Sequence, residues 1–219
     1  YSTRTLRLVS FRWPWPRYDL AMPLLRYPRV DRIAVSLPNW VGDATMATPA
    51  LRALRESYPE ARIVYVARPH IRELLGESPW YDEVIEYQRS TAGIRAAGAR
   101  LREFRSDLGI LLTNSWRTGC LFWLGRSRRR VGYARALGSW MLTDVLTPIR
   151  VGRQPLRFPA LDSYLAILYH LGVKVARRDL ELPVSQDARA VAEKFYQVQD
   201  TLVLTNHQLI ALPWIINDR

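Results

Sequence analysis

The sequence has very little cysteine, histidine and lysine. Its 219 residues include one cysteine, Cys120, and three histidines without paired spacing. An intrachain disulfide and a cysteine-cluster zinc site are therefore excluded, and the spacing of the histidines does not favour a histidine-based metal site. A single cysteine is typical of a reducing, cytosolic compartment. Only two of the 32 basic residues are lysines, Lys174 and Lys194, so nearly all of the positive charge is carried by arginine.

Standard cofactor and membrane signals are also absent from the sequence. It contains no G-x-G-x-x-G fingerprint, no P-loop and no G-x-S-x-G elbow. No run approaches the roughly 18 apolar residues of a membrane span. The first thirty residues lack the uninterrupted apolar segment of a signal peptide. We therefore expect a soluble protein without a cofactor, and peripheral contact with a membrane stays open.

Positive charge is what the sequence has in excess. The formal net charge is +12, and 48% of the residues are apolar, which is enough for a substantial core. Arginine makes planar, bidentate contacts with phosphate or carboxylate, so phosphorylated partners are favoured over neutral ones. Composition alone leaves nucleic acid, anionic lipid and nucleotide open as partners.

Residues 1–30 mix Arg, Trp and Pro without a regular period, and the chain starts with Tyr. We expect an irregular basic extension here. Met22 lies ten residues before the first predicted strand and could be the natural start of translation. Residues 1–21 would then be either an artefact or a basic extension of the domain. A membrane-surface tag is the alternative interpretation.

From residue 31 onward, short apolar runs alternate with helical periods. Strands are predicted at 32–37, 62–67, 83–87, 108–113, 129–135 and 143–148. The first helix should start near Thr45 or kink at Pro49, because an interior proline removes a backbone donor. A helix at 94–104 and another at 158–173 follow. This alternation predicts an α/β, Rossmann-like domain with a parallel sheet over residues 31–178.

The segment 180–185 has the composition of an extended connection. We expect residues 179–219 to be a linker and the start of a second domain. A helix is predicted at 187–197 and a strand at 201–205.

The turn N-W-V-G-D, residues 39–43, lies where the first strand gives way to the first helix. Ligands bind at the carboxyl ends of strands in open α/β sheets. On spacing alone, the interpretation of Asp43 as a helix N-cap is favoured over that of a catalytic group. One carboxylate can fill both roles. Gly42 lets a substrate approach the backbone. Trp40 either stacks on a ligand or covers the core, and the core is the commoner place for an isolated tryptophan.

Two further polar stretches are candidates for ligand contact. Asn114, Ser115 and Arg117 follow the fourth strand, where amides and side chains could hold an anion or a sugar hydroxyl. The run G-R-S-R-R-R-V-G-Y-A-R, residues 125–135, supplies five arginines. They form either a solvated basic edge or, near a strand carboxyl end, an anion-attracting field. His70 is either a ligand contact or an ordinary surface histidine.

Four motifs occur in a recognisable order. They are N-W-V-G-D followed by T-P-A-L-R-A-L, then Y-P-x-A-x-I, L-L-T-N-S-W-R-T-G and R-R-V-G-Y. Residues 30–175 thereby resemble the amino-terminal domain of bacterial ADP-heptose:lipopolysaccharide heptosyltransferases of glycosyltransferase family 9, in particular the heptosyltransferase II type. The resemblance implies a GT-B fold, in which two Rossmann-like domains face each other across a cleft and this one binds the acceptor.

The resemblance also implies the chemistry. Heptose would pass from ADP-heptose to the lipopolysaccharide inner core, with inversion and without a metal, at the cytoplasmic face of the inner membrane. Asp43 would be the general base. The implied acceptor-binding residues are Asn39, Trp40, Gly42, Asn114, Ser115, Arg117, Arg130 and Arg135. The implied partners are ADP-heptose and an anionic glycolipid, with peripheral membrane contact and no nucleic acid.

The resemblance ends near residue 206. Family members continue with an Asn-Pro-Gly-Ala type loop and a Lys-x-Trp element that hold the donor, whereas this sequence continues as N-H-Q-L-I-A-L-P-W-I-I-N-D-R. We therefore expect a truncated donor domain without transferable donor-binding residues, in a chain that is inactive alone. A different class of function also stays open, namely a non-catalytic anion-binding module that uses the arginine run for lipid or nucleic acid.

Overall fold

The structure is a computed structural model that describes residues 26–182, apart from 77, 114, 135–138, 149, 152–153 and 156–158. The predicted helix at 187–197 and strand at 201–205 lie outside the described residues, as does most of the expected N-terminal extension. Residues 26–30 contain neither helix nor strand. The Tyr27 hydroxyl ties them to the sheet by donating to Oδ1 of Asp144 at 2.7 Å.

Six strands form one parallel sheet in the described part of the chain. They are β1 (Arg32–Ser36), β2 (Arg62–Ala67), β3 (Glu83–Glu86), β4 (Leu108–Leu111), β5 (Arg129–Tyr133) and β6 (Asp144–Leu146). Their order across the sheet is β3-β2-β1-β4-β5-β6, and each neighbouring pair is parallel. This is the Rossmann order, so the predicted α/β fold with a parallel sheet is confirmed.

Helices connect the strands and cover both faces of the sheet. They are α1 (Val41–Ser57), α2 (Pro69–Leu75), α3 (Thr91–Phe104), α4 (Trp116–Leu124) and α5 (Ala160–His170). A short 3₁₀ helix (Ser139–Met141) precedes β6, and β7 (Arg150–Val151) pairs antiparallel with β8 (Gln154–Pro155). The six strands and three helices predicted within residues 31–178 are all present. The sequence analysis gave no bounds for α4 and did not predict α2, the 3₁₀ helix or the β7–β8 pair.

Alternate residues of the central strands β1, β2 and β4 point into two separate cores. In β1, Ile33 and Val35 pack in the core that includes Leu51 of α1 and Leu165 of α5. Ala34, between them, packs on the other face with Phe122 of α4. Burial on both faces explains why the strands are continuous apolar runs rather than alternating ones.

Two glycines let α4 pack closely against its neighbours. A Cβ atom on Gly109 of β4 would lie 2.7 Å from Cδ1 of Phe122, so α4 sits directly on the sheet at this point. A Cβ atom on Gly119 would lie 3.2 Å from Sδ of Met141, which brings the 3₁₀ helix against α4. The orientation of both elements therefore depends on residues without side chains.

Helix α1 begins earlier than predicted and continues through Pro49. It starts at Val41, so Trp40 is the N-cap residue and Asp43 lies inside the first turn. The expectation that Asp43 is the N-cap is therefore wrong. Pro49 leaves the Thr45 carbonyl oxygen without its i+4 amide, and the Thr48 hydroxyl donates to that oxygen at 2.8 Å. This replacement bond accounts for a proline inside a continuous helix.

The segment after α5 is fixed to α1 by one buried arginine. Residues 173–182 contain neither helix nor strand, as expected for the described part of the connection. The guanidinium of Arg52 donates to Glu181 Oε2 at 2.7 Å and to the carbonyl oxygens of Arg177 and Asp179. The amide of Glu181 also donates to Thr48 Oγ1 at 3.1 Å.

Within the described residues, no helix combines the length and the apolar character that crossing a membrane requires.

We predict that Arg52→Met destabilises the protein by about 1–3 kcal/mol, because it leaves Glu181 and two carbonyl oxygens without their donor. Urea denaturation measures the change, and the Glu181 amide should exchange its hydrogen faster. Arg100→Met is the matched control, since Arg100 is a more exposed arginine paired with Glu83 at 3.2 Å. It should cost less than about 0.5 kcal/mol. Equal losses in the two variants would contradict the role of Arg52.

Candidate functional site

The strand order places a cleft at the carboxyl ends of β1 and β4. From β1 the chain continues to β2 on one side, whereas β4 lies on the other side and leads to β5. The loops after β1 and β4 therefore diverge, which is the position where open α/β sheets bind ligands. The cleft here has a volume of about 760 Å³, within the usual range for ligand sites.

Five separate parts of the chain line this cleft. The β1–α1 segment contributes Pro38, Asn39, Trp40 and Asp43, the loop after β3 contributes Arg89, the β4–α4 segment contributes Leu112, Thr113, Ser115, Trp116 and Arg117, β5 contributes Tyr133, and α5 contributes Ala160, Ser163 and Tyr164. The structure thus brings together five of the predicted site residues, namely Asn39, Trp40, Asp43, Ser115 and Arg117. Asn114 and Arg135 lie outside the described residues.

Gly42 and Trp40 lie at the exposed end of the β1–α1 turn. A Cβ atom on Gly42 would meet nothing within 4 Å, so the backbone is open to solvent there. Trp40 is 77% exposed and lines the cleft. The interpretation of Trp40 as a core residue is therefore wrong, and its ring is available for stacking.

The carboxylate of Asp43 lies in the first turn of α1 and is half-buried. The backbone amides of a first helical turn stabilise nearby negative charge. Burial and, second to it, the negative charge of Asp43 raise the pKa of Tyr164 above its ordinary value. Tyr164 therefore stays a neutral hydroxyl, able to donate a hydrogen bond, within the electrostatic reach of Asp43.

Side chains from neighbouring strands hold the loop that carries the cleft residues. The Tyr87 hydroxyl donates to Oδ1 of Asn39 at 3.1 Å. Nε2 of His70 lies 2.9 Å from the carbonyl oxygen of Asn39, to which it can donate. Ser36 and Thr113, at the ends of β1 and β4, join their hydroxyls at 2.9 Å. His70 is thus a surface histidine that supports the loop from outside the cleft.

Two arginines give the cleft a positive charge. Arg117 follows β4 by six residues, and its guanidinium lies 5.0 Å from the centroid of the Trp116 ring. Arg89 follows β3 and was missed by sequence reasoning. Its position directly after a predicted strand was the signal that could have identified it, since carboxyl ends of parallel strands meet at one edge.

Tyr133 and Tyr164 were also missed as site residues. Tyr133 ends β5, and Tyr164 belongs to the helix that the sequence predicted at 158–173. The structure places Tyr164 both in the core and on the cleft wall.

Three arginines of the run, Arg126, Arg128 and Arg130, lie at the opposite edge of the sheet from the cleft. Arg126 and Arg128 precede β5, and Arg130 is its second residue, paired in register with Gly109 at the amino end of β4. The guanidinium of Arg130 donates to the carbonyl oxygens of Ser127 and Met141. The expectation of a strand carboxyl end is therefore wrong, because residues before a strand lie at its amino end, and Arg130 does not reach the cleft.

No group of three or more His, Cys, Asp or Glu side chains in the described part of the chain is arranged to hold a metal ion.

We predict that Arg89→Ala and Arg117→Ala each weaken the binding of inorganic pyrophosphate about tenfold, because each removes a charge-assisted donor from the cleft. Isothermal titration calorimetry measures the affinity. Arg128→Ala is the matched control at the opposite edge and should change it less than about twofold. An equal effect of all three substitutions, or no pyrophosphate binding by the wild type, would contradict an anion site in the cleft.

No family model matches the chain, whereas individual curated proteins and solved structures do. It is 29% identical over 167 residues, 74% of its length, to lipopolysaccharide heptosyltransferase 2 of Salmonella typhimurium. The aligned part is 47% of that relative, so the chain spans about half the length of the curated relatives it matches.

Solved structures match the fold. A glycosyltransferase of family 9 from Veillonella parvula aligns with a TM-score of 0.68 at 24% identity, over 79% of this chain and 50% of the other. The Escherichia coli ADP-heptose lipopolysaccharide heptosyltransferase II aligns with a TM-score of 0.57 at 24% identity, over 80% of this chain and 51% of the other. The sequence match and the shared fold confirm the resemblance of this chain to the heptosyltransferases of glycosyltransferase family 9.

Proposed function

We propose that this chain forms the acceptor side of a heptosyltransferase that moves heptose from ADP-heptose to the lipopolysaccharide inner core. The observation that carries the proposal is the placement of Asp43 in a cleft with two arginines, at the reversal of strand order. A carboxylate beside positive charge is suited to an acceptor that has both a hydroxyl to deprotonate and an anionic group to hold. The names of the matched relatives supply the sugar, the donor and the acceptor.

Asp43 is the general base of the proposed reaction. Its carboxylate takes the proton of an acceptor hydroxyl while the hydroxyl oxygen forms a bond to the anomeric carbon of the heptose. The bond from that carbon to the β-phosphate oxygen breaks, and ADP leaves with the electron pair. Attack from the face opposite the leaving group inverts the anomeric centre. In this proposal, cationic protein groups rather than a metal ion stabilise the negative charge that develops on the departing ADP.

The other cleft residues position the acceptor in this proposal. Arg89 and Arg117 bind its carboxylate or phosphate groups. Trp40 stacks on a sugar ring, while Ser115 and the amide group of Asn39 bond sugar hydroxyls. Tyr164 stays protonated at neutral pH, so it donates a hydrogen bond next to Asp43 and helps to fix the attacking oxygen.

The donor approaches from the open side of the cleft, where its anomeric carbon faces the acceptor hydroxyl. No donor-binding residue is proposed within the chain. The acceptor glycolipid belongs to a membrane, so we further propose that the protein works at the cytoplasmic face of the inner membrane, in peripheral contact with it.

We predict that the Asp43→Asn substitution, made at the corresponding aspartate of a full-length relative, lowers the rate of heptose transfer at least about 100-fold, because the amide cannot accept the proton. ADP release from ADP-heptose, in the presence of a soluble inner-core oligosaccharide, measures the rate. The affinity for the oligosaccharide should change less than about threefold, since the two side chains have the same shape.

Asp162→Asn is the matched control for this experiment. Asp162 is also an aspartate in the first turn of a helix, but it pairs with Arg178 and does not line the cleft. Its replacement should leave transfer unchanged. An unchanged rate in Asp43→Asn would exclude Asp43 as the base. A wild-type chain that binds the oligosaccharide but releases no ADP would support the acceptor site and show that transfer needs groups outside this chain.

A further inference from the structure

We propose that the outer face of α4, together with the 3₁₀ helix and the turn after α4, docks on an anionic lipid bilayer. We call this surface the α4 face and define it by Trp116, Trp123, Leu124, Arg126, Arg128 and Trp140. The docking itself is argued from exposure and charge, and its orientation relative to the membrane rests on the function proposed above.

The apolar part of the α4 face consists of large side chains in solvent. Trp116 and Trp123 are 51% and 48% exposed, and their spacing of seven residues, about two helical turns, puts them on one side of α4. Trp140 is 68% exposed and meets Trp123 edge to face, with 5.8 Å between ring centroids. Leu124 is partly exposed beside them.

The close packing at Gly119 fixes this arrangement. Because the glycine lets Met141 of the 3₁₀ helix lie against α4, the preceding residue, Trp140, is carried next to Trp123. Three tryptophans held by packed elements form a rigid aromatic surface. Tryptophan is enriched where proteins meet the headgroup region of a bilayer, because its ring is apolar and its N–H remains hydrated.

The basic part of the α4 face borders the aromatic part. Arg126, Arg128 and Arg102 line a surface depression of about 500 Å³ together with Trp123 and Leu124. All three arginines are exposed, and no ion pair joins them to a carboxylate within the described residues. Each basic residue at an anionic membrane surface contributes about 1 kcal/mol, so the group adds usefully to tryptophan insertion.

The charge of the α4 face argues for lipid over two other occupants. A second copy of the chain docked on the same face would bring arginines against arginines. The N-terminal segment 1–25 is itself basic, with Arg4, Arg7, Arg12 and Arg17 against the single acid Asp19. Both would be repelled, whereas anionic headgroups are attracted.

The position of α4 relative to the cleft means that docking along this helix would bring the cleft next to the membrane surface. Trp116 belongs both to the α4 face and to the cleft wall, because the helix begins at the carboxyl end of β4. A bilayer lying along α4 would therefore meet the mouth of the cleft at one end of the helix. The headgroup of a membrane-embedded acceptor would reach Arg117 without leaving the membrane surface.

Vesicle cosedimentation tests the docking with the chain as it stands. The wild type should bind vesicles of phosphatidylcholine mixed with phosphatidylglycerol at least about tenfold more tightly than vesicles of phosphatidylcholine alone. The double variant Trp123→Gln with Trp140→Gln, and the double variant Arg126→Gln with Arg128→Gln, should each lose about tenfold in affinity for the anionic vesicles. Brominated lipid should quench tryptophan fluorescence in the wild type and less in the tryptophan variant.

Two controls are matched to these variants. Leu180→Gln removes an exposed apolar side chain outside both the α4 face and the cleft, and Arg100→Gln removes an exposed arginine that is paired with Glu83. Neither should change vesicle affinity more than about twofold. Thermal melts check that every variant is folded.

Several outcomes would overturn the docking. They are a wild-type chain that does not bind anionic vesicles, α4-face variants that bind them as tightly as the wild type, and control variants that lose as much vesicle affinity as the α4-face variants. Displacement of the chain from vesicles by a single-stranded oligonucleotide at equal charge concentration would instead identify a nucleic-acid surface. Asp43→Asn should bind vesicles normally, and the α4-face variants should not change the affinity for a soluble inner-core oligosaccharide. The docking and the proposed function can therefore fail independently.

Discussion

The direct pairing of β1 with β4 is the constraint on which the candidate site depends. These strands are separated by 71 residues between the end of one and the start of the other, yet they lie side by side, from Ile33 with Leu108 to Ser36 with Leu111. Because they are parallel, the segments that follow them emerge at the same edge. The hydroxyls of Ser36 and Thr113 join just beyond this pairing. Asp43 and Arg117, far apart in sequence, come to one cleft for this reason.

The sheet itself was predictable because local sequence and tertiary environment agree. The central strands β1, β2 and β4 are covered on both faces, so their apolar residues are consecutive and mark the strands directly. The site was only partly predictable, for two physical reasons. The start of α1 depends on backbone geometry at Trp40, and Asp43 fits both a cap and a first-turn position by spacing. Tyr164 lies on the cleft because α5 packs beside α1, a tertiary contact that no local pattern records.

The misplacement of the arginine run has a simple geometric cause. In a parallel sheet, residues before a strand and residues after it lie at opposite edges, so a basic stretch must be assigned by which side of the strand it occupies. Arg126 and Arg128 come before β5, whereas Arg89 and Arg117 follow β3 and β4. The positive charge is therefore divided between two surfaces with different neighbours. At the cleft it surrounds a carboxylate, and at the other edge it borders exposed tryptophans.

Helix α4 connects these two surfaces and explains how they can serve one task. Its first residue lines the cleft, and its last residues lie at the basic edge. The glycines at 109 and 119 have no side chain, so α4 packs closely against both the sheet and the 3₁₀ helix. A helix of nine residues spans about 14 Å, so the two surfaces lie close together along α4. A patch of several exposed tryptophans is uncommon on a protein that meets only water and marks a surface of interaction. In the proposed docking, these tryptophans and the neighbouring arginines would place the bilayer beside the cleft that contains Asp43.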